Sequence, residues 1–311
     1  MSALRVHIDT DPGLDDLLAL AFALASPELS VEGITTVAGN ASIAAVTENA
    51  LRFMTLAGAQ IPVGAGADGP LALTRIDAAS FHGADGRRGV PIADPPSRTP
   101  VESARDVLRR SLEARRVERV IALGPLTNIA ARVTDEPDLF ADTQLVWMGG
   151  TLGRGNVTRA AEFNAFADPR AVRVVLESGV RLRVVGLDVT ARVAVRAGHL
   201  EAAGFAATPR ARMVDGALRA LFCAERAFSG EPAAYLHDPC AVAAAFAPDL
   251  FEFAPLRLHA CDEEGSERGR LRVDAAARHV ASYAVAAREA ELTALFLKRV
   301  TEWASFVSVA S

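Results

Sequence analysis

Short apolar runs rich in β-branched residues alternate with longer stretches of helical periodicity through the first two-thirds of this chain. Apolar residues that recur every three to four positions predict helices packed on one face, and the short runs between them predict strands. The strands are predicted at Leu4–Thr10, Val31–Val37, Val120–Leu123, Gln144–Met148 and Leu182–Leu187, and the helices at Leu14–Ala25, Ile43–Ala57, Val101–Ala114, Leu126–Val133 and Pro169–Glu177. This alternation predicts an α/β fold with a mainly parallel sheet flanked by helices.

The last third of the chain has a different pattern. The segments Phe251–Cys261, Leu271–Val273 and Val280–Ala284 predict a small antiparallel elaboration near the C-terminus, followed by a helix at Ala287–Phe306. No linker rich in proline and serine and no repeat divides the chain, so residues 1–311 are predicted to form a single domain. The longest interval without predicted elements is Gly64–Pro100, and loops of that length often carry function.

Composition excludes several classes of protein. No apolar run is long enough to span a membrane, and Arg5, His7 and Asp9 follow the N-terminus too closely for a signal peptide. Three cysteines, an odd number in a long chain, do not form a disulfide framework, so a reducing cytoplasm is predicted. The net charge of −5, without a basic block, argues against a nucleic-acid partner.

The most informative segment for function is Ile8–Asp16, which reads IDTDPGLDD. It contains four aspartates and no basic residue, and its Pro-Gly pair predicts a turn between a strand and a helix. The aspartates therefore lie at the carboxyl end of a parallel strand, where open α/β sheets place their ligands. Two carboxylates about 4 Å apart near a surface repel by roughly 4 kcal/mol, so the cluster predicts a bound cation.

Two other interpretations of this segment are weaker. A helix cap needs one aspartate, whereas this segment has four. The Asp-Thr-Asp sequence is also typical of haloacid-dehalogenase-type phosphatases, but those enzymes place a catalytic lysine in mid-chain. The only lysine here is Lys298, near the C-terminus, which argues against that class.

Several further segments combine glycines with polar side chains. TTVAGN (Thr35–Asn40) and GPLTN (Gly124–Asn128) follow predicted strands, and MGGTLGRGN (Met148–Asn156) is a glycine-rich loop after another. FHGADG places His82 in the long loop, AEFNAFADP places Glu162 and Asn164 two positions apart, and HDPCAVA places His237 and Asp238 before an apolar helix. Each segment alone has an ordinary structural explanation, such as a helix cap or a strand–helix turn.

Together these segments resemble the calcium-dependent nucleoside hydrolases of the inosine–uridine-preferring type. DTDPGLDD, TTVAGN, FHGADG, GPLTN, AEFNAFADP and HDP occur in the order typical of that family, over about three-quarters of the chain. The resemblance implies a Rossmann-like core and a homo-oligomer, either a dimer or a tetramer. It also implies that Ca²⁺ is held by Asp11, Asp16, Asp238 and the Thr127 carbonyl, that ribose is bound by Asp15, Asn40, Asn156, Glu162 and Asn164, and that His82 and His237 lie near the base.

The implied reaction is hydrolysis of the N-glycosidic bond of a ribonucleoside, which gives free base and ribose. Hard oxygen ligands suit Ca²⁺, and a coordinated vicinal diol would select ribose over 2′-deoxyribose. The reaction would pass through an oxocarbenium-like transition state. Asp11 is predicted to deprotonate a Ca²⁺-bound water, and a histidine is predicted to protonate the leaving base.

The resemblance leaves base preference open. Phe222, Phe228 and Tyr235 are candidates to close over the base, and Gly186 stands where proline is commoner in the family. Histidines at positions 82 and 237 favour pyrimidine nucleosides or a broad specificity. Two alternatives remain: a nucleoside-binding protein without turnover, and a hydrolase of another riboside.

Overall fold

The computed structural model describes residues 2–92, 94, 101–113 and 117–306, and it confirms the predicted α/β class. Thirteen strands are described: β1 Leu4–Thr10, β2 Leu29–Thr36, β3 Val63–Ala65, β4 Glu102–Ser103, β5 Arg119–Ala122, β6 Gln144–Met148, β7 Arg181–Val185, β8 Ala194–Val195, β9 Ala234–Tyr235, β10 Phe251–Leu256, β11 Leu258–Ala260, β12 Leu271–Val273 and β13 Ala281–Ala287.

Twelve α-helices are described with them: α1 Leu14–Ala25, α2 Ile43–Ala57, α3 Ala79–His82, α4 Ala104–Leu112, α5 Thr127–Asp135, α6 Phe163–Ala167, α7 Pro169–Ser178, α8 Leu187–Thr190, α9 Ala197–Ala203, α10 Pro209–Phe228, α11 His237–Phe246 and α12 Glu289–Ser305. Short 3₁₀ helices cover Pro137–Phe140 and Pro248–Leu250. No helix in the described ranges has the length and hydrophobicity to cross a membrane.

The main sheet has nine strands in the order β10-β13-β7-β6-β5-β1-β2-β3-β4. All neighbours pair in parallel except β10, which is antiparallel to β13 at one edge. From β1 the chain runs to one side through β2, β3 and β4, and β5 then starts the other side. The carboxyl ends of β1 and β5 therefore flank the point where strand order reverses, which is where α/β sheets bind ligands.

The strands near the C-terminus pair differently from the predicted antiparallel elaboration. The pair β11–β12 is an antiparallel hairpin, and β10 is antiparallel to β13, as predicted. However, β13 pairs in parallel with β7 and extends the main sheet. The predicted helix at Val101–Ala114 begins at Ala104, after the two-residue strand β4, and residue 114 lies outside the described residues. In the predicted long loop, residues 93 and 95–100 lie outside the described residues, and α3 forms at Ala79–His82.

The helix α1 is buried on nearly all sides rather than on one face. It packs against α10, α11 and α12, and residues Leu17 to Ala23 are all buried. Its N-terminus, with the acidic segment before it, is thereby held inside the protein.

Candidate active site

The acidic segment lies between β1 and α1, at the carboxyl end of the central strand, as predicted. Asp11 and Asp16 are 1% and 0% exposed. The Asp16 carboxylate accepts hydrogen bonds from the Gly13 amide at 2.9 Å and from the Thr10 hydroxyl at 2.5 Å. Asp16 thus caps α1, as the capped-helix interpretation predicts. That interpretation accounts for one of the four aspartates.

Asn40 links the two buried aspartates. Its backbone amide donates to Asp11 Oδ2 at 2.7 Å, and its side-chain Nδ2 donates to Asp16 Oδ2 at 2.9 Å. The same nitrogen lies 3.1 Å from the carbonyl oxygen of Asp11. The contacts shown for Asn40 therefore position the acidic groups.

Asp15, Asp16 and Asp238 form a compact cluster, in which one carboxylate oxygen of each lies within 4.8 Å of the others. Oδ1 of Asp15 is buried and has no hydrogen-bond partner among the described residues. A buried, unpaired carboxylate oxygen is costly, so this atom indicates a ligand that the protein itself does not supply. Oxygen donors of this kind suit a hard divalent cation, and the residues present fit one.

The carboxyl groups of this cluster strongly affect one another's protonation. Burial, followed by the charge of Asp16, raises the pKa of Asp11 well above its usual range and that of Asp15 to about 8. Burial also raises the pKa of Asp238, with further contributions from the neighbouring aspartates. A cation among these groups would offset their repulsion and favour the ionised carboxylates.

A cavity of about 850 Å³ opens above this cluster. The predicted site residues that line it are Asp15, Asn40, His82, Asn156, Glu162, Asn164, His237 and Asp238. Residues from five distant parts of the sequence thus meet at one cavity. Of the three candidate aromatic residues, Phe228 and Tyr235 line the cavity and Phe222 does not.

Asp11, Asp16 and Thr127 are the predicted site residues that do not line the cavity. Thr127 is the first residue of α5, where a carbonyl points along the helix axis, and its hydroxyl donates to Asp168 Oδ2 at 2.7 Å. These contacts place the Thr127 side chain against Asp168, and the role of its carbonyl as a ligand remains a prediction. Leu123, directly after β5, does line the cavity.

Glu162, Asn164 and Asn156 form one wall of the cavity. Glu162 is buried and accepts hydrogen bonds from the backbone amides of Gly150, Asn164 and Ala165 at 2.7–3.1 Å. Burial raises its pKa, and these three hydrogen bonds oppose that shift. The side-chain Nδ2 of Asn164 donates to the carbonyl of Leu123, directly after β5, at 2.6 Å and to that of Met148, at the end of β6, at 3.0 Å.

Asn156 completes this wall from the opposite end of the glycine-rich segment. Its Oδ1 accepts from the Phe163 amide at 2.9 Å. The wall is therefore built by fixed hydrogen bonds between the glycine-rich segment and the start of α6.

His82 reaches the acidic turn from the long loop. Its Nδ1 lies 3.2 Å from the amide nitrogen of Leu14. Because that amide can only donate, Nδ1 is the acceptor and a neutral ring has its proton on Nε2. A Cβ atom at Gly13 would lie 2.7 Å from Nδ1, so glycine is required there for this approach. Burial, with the nearby charges of Arg88 and His237, lowers the pKa of His82 to about 3.

His237 begins α11, next to Asp238. Its Nδ1 forms a 2.8 Å hydrogen bond with the hydroxyl of Thr190, which holds the ring orientation. The ring also stacks on Tyr235, with centroids 5.8 Å apart. Burial lowers the pKa of His237 to about 4, so the ring is neutral near pH 7 in the free protein.

Asp9, which has no predicted role of its own, supports the segments around the site. Asp9 is fully buried, and its Oδ1 accepts from Thr35 Oγ1 at 2.5 Å and Asn128 Nδ2 at 2.8 Å. These partners belong to the TTVAGN and GPLTN segments, so Asp9 links the end of β1 to the end of β2 and to the start of α5. All three segments were predicted at or after strand ends, and this shared position is the sequence signal that could have identified Asp9.

Comparison with solved structures defines the class of protein. A purine-preferring ribonucleoside hydrolase from Gardnerella vaginalis superposes with a TM-score of 0.91 at 28% identity, covering 97% of this chain and all of that one. A plant nucleoside hydrolase, the PpNRh1 enzyme, superposes with a TM-score of 0.88 at 31% identity, covering 96% and 99% of the two chains. The fold is that of nucleoside hydrolases.

Sequence comparison defines the family. The profile of the inosine-uridine preferring nucleoside hydrolases matches residues 6–296. The non-specific ribonucleoside hydrolase RihC of Klebsiella pneumoniae (strain 342) is 39% identical over 257 residues, which are 81% of this chain and 82% of that protein. The chain belongs to the inosine-uridine preferring nucleoside hydrolase family, and it is a hydrolase of N-glycosyl bonds. The predicted resemblance is confirmed.

Proposed function

We propose that this protein hydrolyses ribonucleosides to free base and ribose with Ca²⁺ as its cofactor, and with broad base specificity. The main support is the acidic cluster of Asp15, Asp16 and Asp238, which lies at a cavity that Glu162 and Asn164 also line. The acidic cluster can bind a cation and a diol, and Glu162 and Asn164 can form hydrogen bonds to hydroxyl groups.

Asp11, Asp16 and Asp238 are the side chains we assign to Ca²⁺, with Asp15 directed to the ribose. The carbonyl of Leu123 replaces the predicted Thr127 carbonyl in this assignment, because Leu123 lies at a strand end on the cavity. When bound, Ca²⁺ would supply a Lewis acid that holds the vicinal diol and lowers the pKa of a coordinated water.

The chain's own residues account for the remaining steps. Asp11 accepts a proton from the water that attacks the anomeric carbon, and the surrounding carboxylates stabilise the oxocarbenium-like transition state. The C1′–N bond breaks with its electron pair on the base, which then takes up a proton. Glu162 and Asn164 hold the ribose against the cluster, so that the anomeric carbon faces the water.

Broad base specificity is favoured by the aromatic part of the cavity. Phe81 and Phe228 meet edge to face at 6.0 Å, and Tyr235 stacks on His237. Aromatic faces bind purines and pyrimidines alike, since stacking does not read a hydrogen-bonding pattern. The similarity to a relative named as non-specific supports this choice over a pyrimidine preference.

The charge of the cavity favours nucleosides over nucleotides. Arg154 is the only basic residue other than histidine that lines it in the described part of the chain. The acidic lining residues are Asp15, Asp77, Glu162, Asp188, Glu225, Glu231 and Asp238. A 5′-phosphate would therefore be repelled on entry.

A substrate panel tests the proposal. We expect release of base from uridine, cytidine, inosine and adenosine, and a rate at least about 10²-fold lower for 2′-deoxyuridine and for uridine 5′-monophosphate. The deoxy sugar lacks one oxygen of the diol, and the nucleotide carries the repelled phosphate. Base release is followed by chromatography. Absence of base from every ribonucleoside would contradict hydrolysis and favour a nucleoside-binding protein or a hydrolase of another riboside.

His237 is the residue we assign to protonation of the leaving base. We expect His237→Ala to slow uridine and inosine cleavage by about 10²-fold or more, the range for a general acid. It should barely affect p-nitrophenyl riboside, whose leaving group departs without a proton. Burial lowers the pKa of His237 to about 4 in the free protein. To transfer a proton, the ring must therefore become charged in the enzyme–substrate complex, whereas a ring that stays neutral donates only a hydrogen bond to the base.

Comparison of the two substrate types decides the role of His237. Equal losses on the natural and the activated substrate would show that His237 only positions the nucleoside. His82→Ala, measured in parallel, identifies any share that the second histidine has in the same step.

A further inference from the structure

Asp188 lies on the cavity wall but has no role in the reaction as described above. It is the second residue of α8, which follows β7, and it is partly exposed. Its Oδ2 accepts three hydrogen bonds: from the Leu152 amide at 2.9 Å, from the Thr151 hydroxyl at 3.1 Å and from the Tyr283 hydroxyl. Two of these donors, Thr151 and Leu152, belong to the glycine-rich loop Met148–Asn156.

Two buried or partly buried carboxylates hold the glycine-rich loop, in addition to its backbone hydrogen bonds with Val185, Leu187 and Arg159. Gly150 donates to Glu162 on the ribose side of the proposed site, and Thr151 and Leu152 bond to Asp188 on the other side. Beyond these attachments the loop leads to Asn156, which lines the cavity. A change at Asp188 therefore loosens Thr151 and Leu152 in the loop without removing the hydrogen bonds of Glu162 or Asn156.

Tyr283 supports Asp188 from inside the sheet. It lies on β13 and is 1% exposed, so its hydroxyl reaches Asp188 from the core. The contact also explains Gly186, because a Cβ atom there would lie 2.7 Å from the Tyr283 hydroxyl and 2.6 Å from the Gly150 carbonyl oxygen. The tyrosine and the loop together occupy the space that a side chain at position 186 would need.

We propose that Asp188, supported by Tyr283, is a positioning residue that fixes the glycine-rich loop and so sets the ribose-binding wall. The effect on catalysis rests on the proposed ribonucleoside hydrolysis, whereas the effect on the loop does not. Since the loop contacts the sugar side of the site, its release should weaken binding of every riboside alike, whatever the leaving group.

The kinetic test uses Asp188→Asn and Tyr283→Phe, with Asp138→Asn as the matched control at an exposed site away from the cavity. For Asp188→Asn we expect KM to rise roughly tenfold, the size of one charge-assisted hydrogen bond, for uridine, inosine and p-nitrophenyl riboside. Tyr283→Phe, which removes one donor of three, should raise KM in the same direction by less. General destabilisation would instead lower the amount of active enzyme and leave KM unchanged.

Hydrogen–deuterium exchange of the ligand-free protein provides the second measurement. The peptide that contains the Leu152 amide should exchange faster in Asp188→Asn than in wild type, with peptides of the core strands unchanged. Unchanged exchange at Leu152, exchange that increases throughout the chain, or an unchanged KM would each overturn the positioning role. A wild-type protein that cleaves no ribonucleoside would refute the proposed function alone, because exchange still decides whether Asp188 holds the loop.

Discussion

Treatment with a chelator is expected to reduce ribonucleoside hydrolysis to background, a loss of at least about 10³-fold, and Ca²⁺ is expected to restore it. The physical reason is the cluster of Asp15, Asp16 and Asp238, whose oxygens lie within 4.8 Å of one another. Without a cation these carboxyl groups repel one another, and burial and this repulsion raise the pKa of Asp15 to about 8. The ionised, correctly spaced carboxylates that the reaction needs are then disfavoured.

Thermal unfolding measures cation binding independently of turnover. A ligand that binds only the folded state stabilises it by about 2.7 kcal/mol at a hundred times its Kd, so Ca²⁺ should raise Tm of the chelated protein by several degrees. Mg²⁺ should raise Tm less, because it requires stricter octahedral geometry. Asp238→Asn should abolish the response to Ca²⁺, and Asp249→Asn, an exposed control outside the cavity, should retain it. Full activity after rigorous removal of Ca²⁺ would contradict the proposed cofactor.

The strand–helix alternation was sufficient to predict the part of the fold that matters most for the site. The bounds of β1, α2 and β6 coincide with the predicted ones. The two strands are short apolar runs, and α2 repeats its apolar residues with helical periodicity. The sequence did not indicate that β13 pairs in parallel with β7, since register and partner depend on contacts between segments about a hundred residues apart.

The residues of the candidate site were likewise predictable only in part. The position of Asp15 at a strand end predicted a ligand site there. The family resemblance added Glu162 and His237 to that site, and all three residues line one cavity. Residues whose importance lies in a single long-range contact were not predictable, and Asp188 is the clearest case. Its partner Tyr283 is 95 positions away, and nothing in the local sequence of either residue indicates the bond.

The sequence also did not predict the lowered pKa values of the two site histidines. An isolated histidine titrates near pH 6.5, which made His82 and His237 natural acids. Burial lowers their pKa to about 3 and about 4, so their roles depend on what the bound substrate and cation change around them. Only the three-dimensional burial of the His82 and His237 rings reveals this.

Asp11→Asn is expected to lower kcat by about 10²–10⁴-fold, the range for loss of a general base. The substitution keeps the side-chain shape, and the Asn40 amide, now 2.7 Å from Asp11 Oδ2, can still donate to the remaining amide oxygen. What is lost is the negative charge that accepts the proton of the attacking water. Initial rates at saturating uridine and saturating Ca²⁺ provide the measurement.

The matched variant is Asp15→Asn, because Asp15 lines the cavity and Asp11 does not. If Asp11 is the base and Asp15 a ribose ligand, Asp15→Asn should chiefly raise KM while Asp11→Asn lowers kcat. The Tm response to Ca²⁺ then separates the two functions assigned to Asp11. A retained response with a low kcat identifies the base, whereas a lost response shows that ligation of the cation dominates. A near-normal kcat in Asp11→Asn together with a low kcat in Asp15→Asn would assign the base to Asp15, whose buried Oδ1 has no hydrogen-bond partner among the described residues.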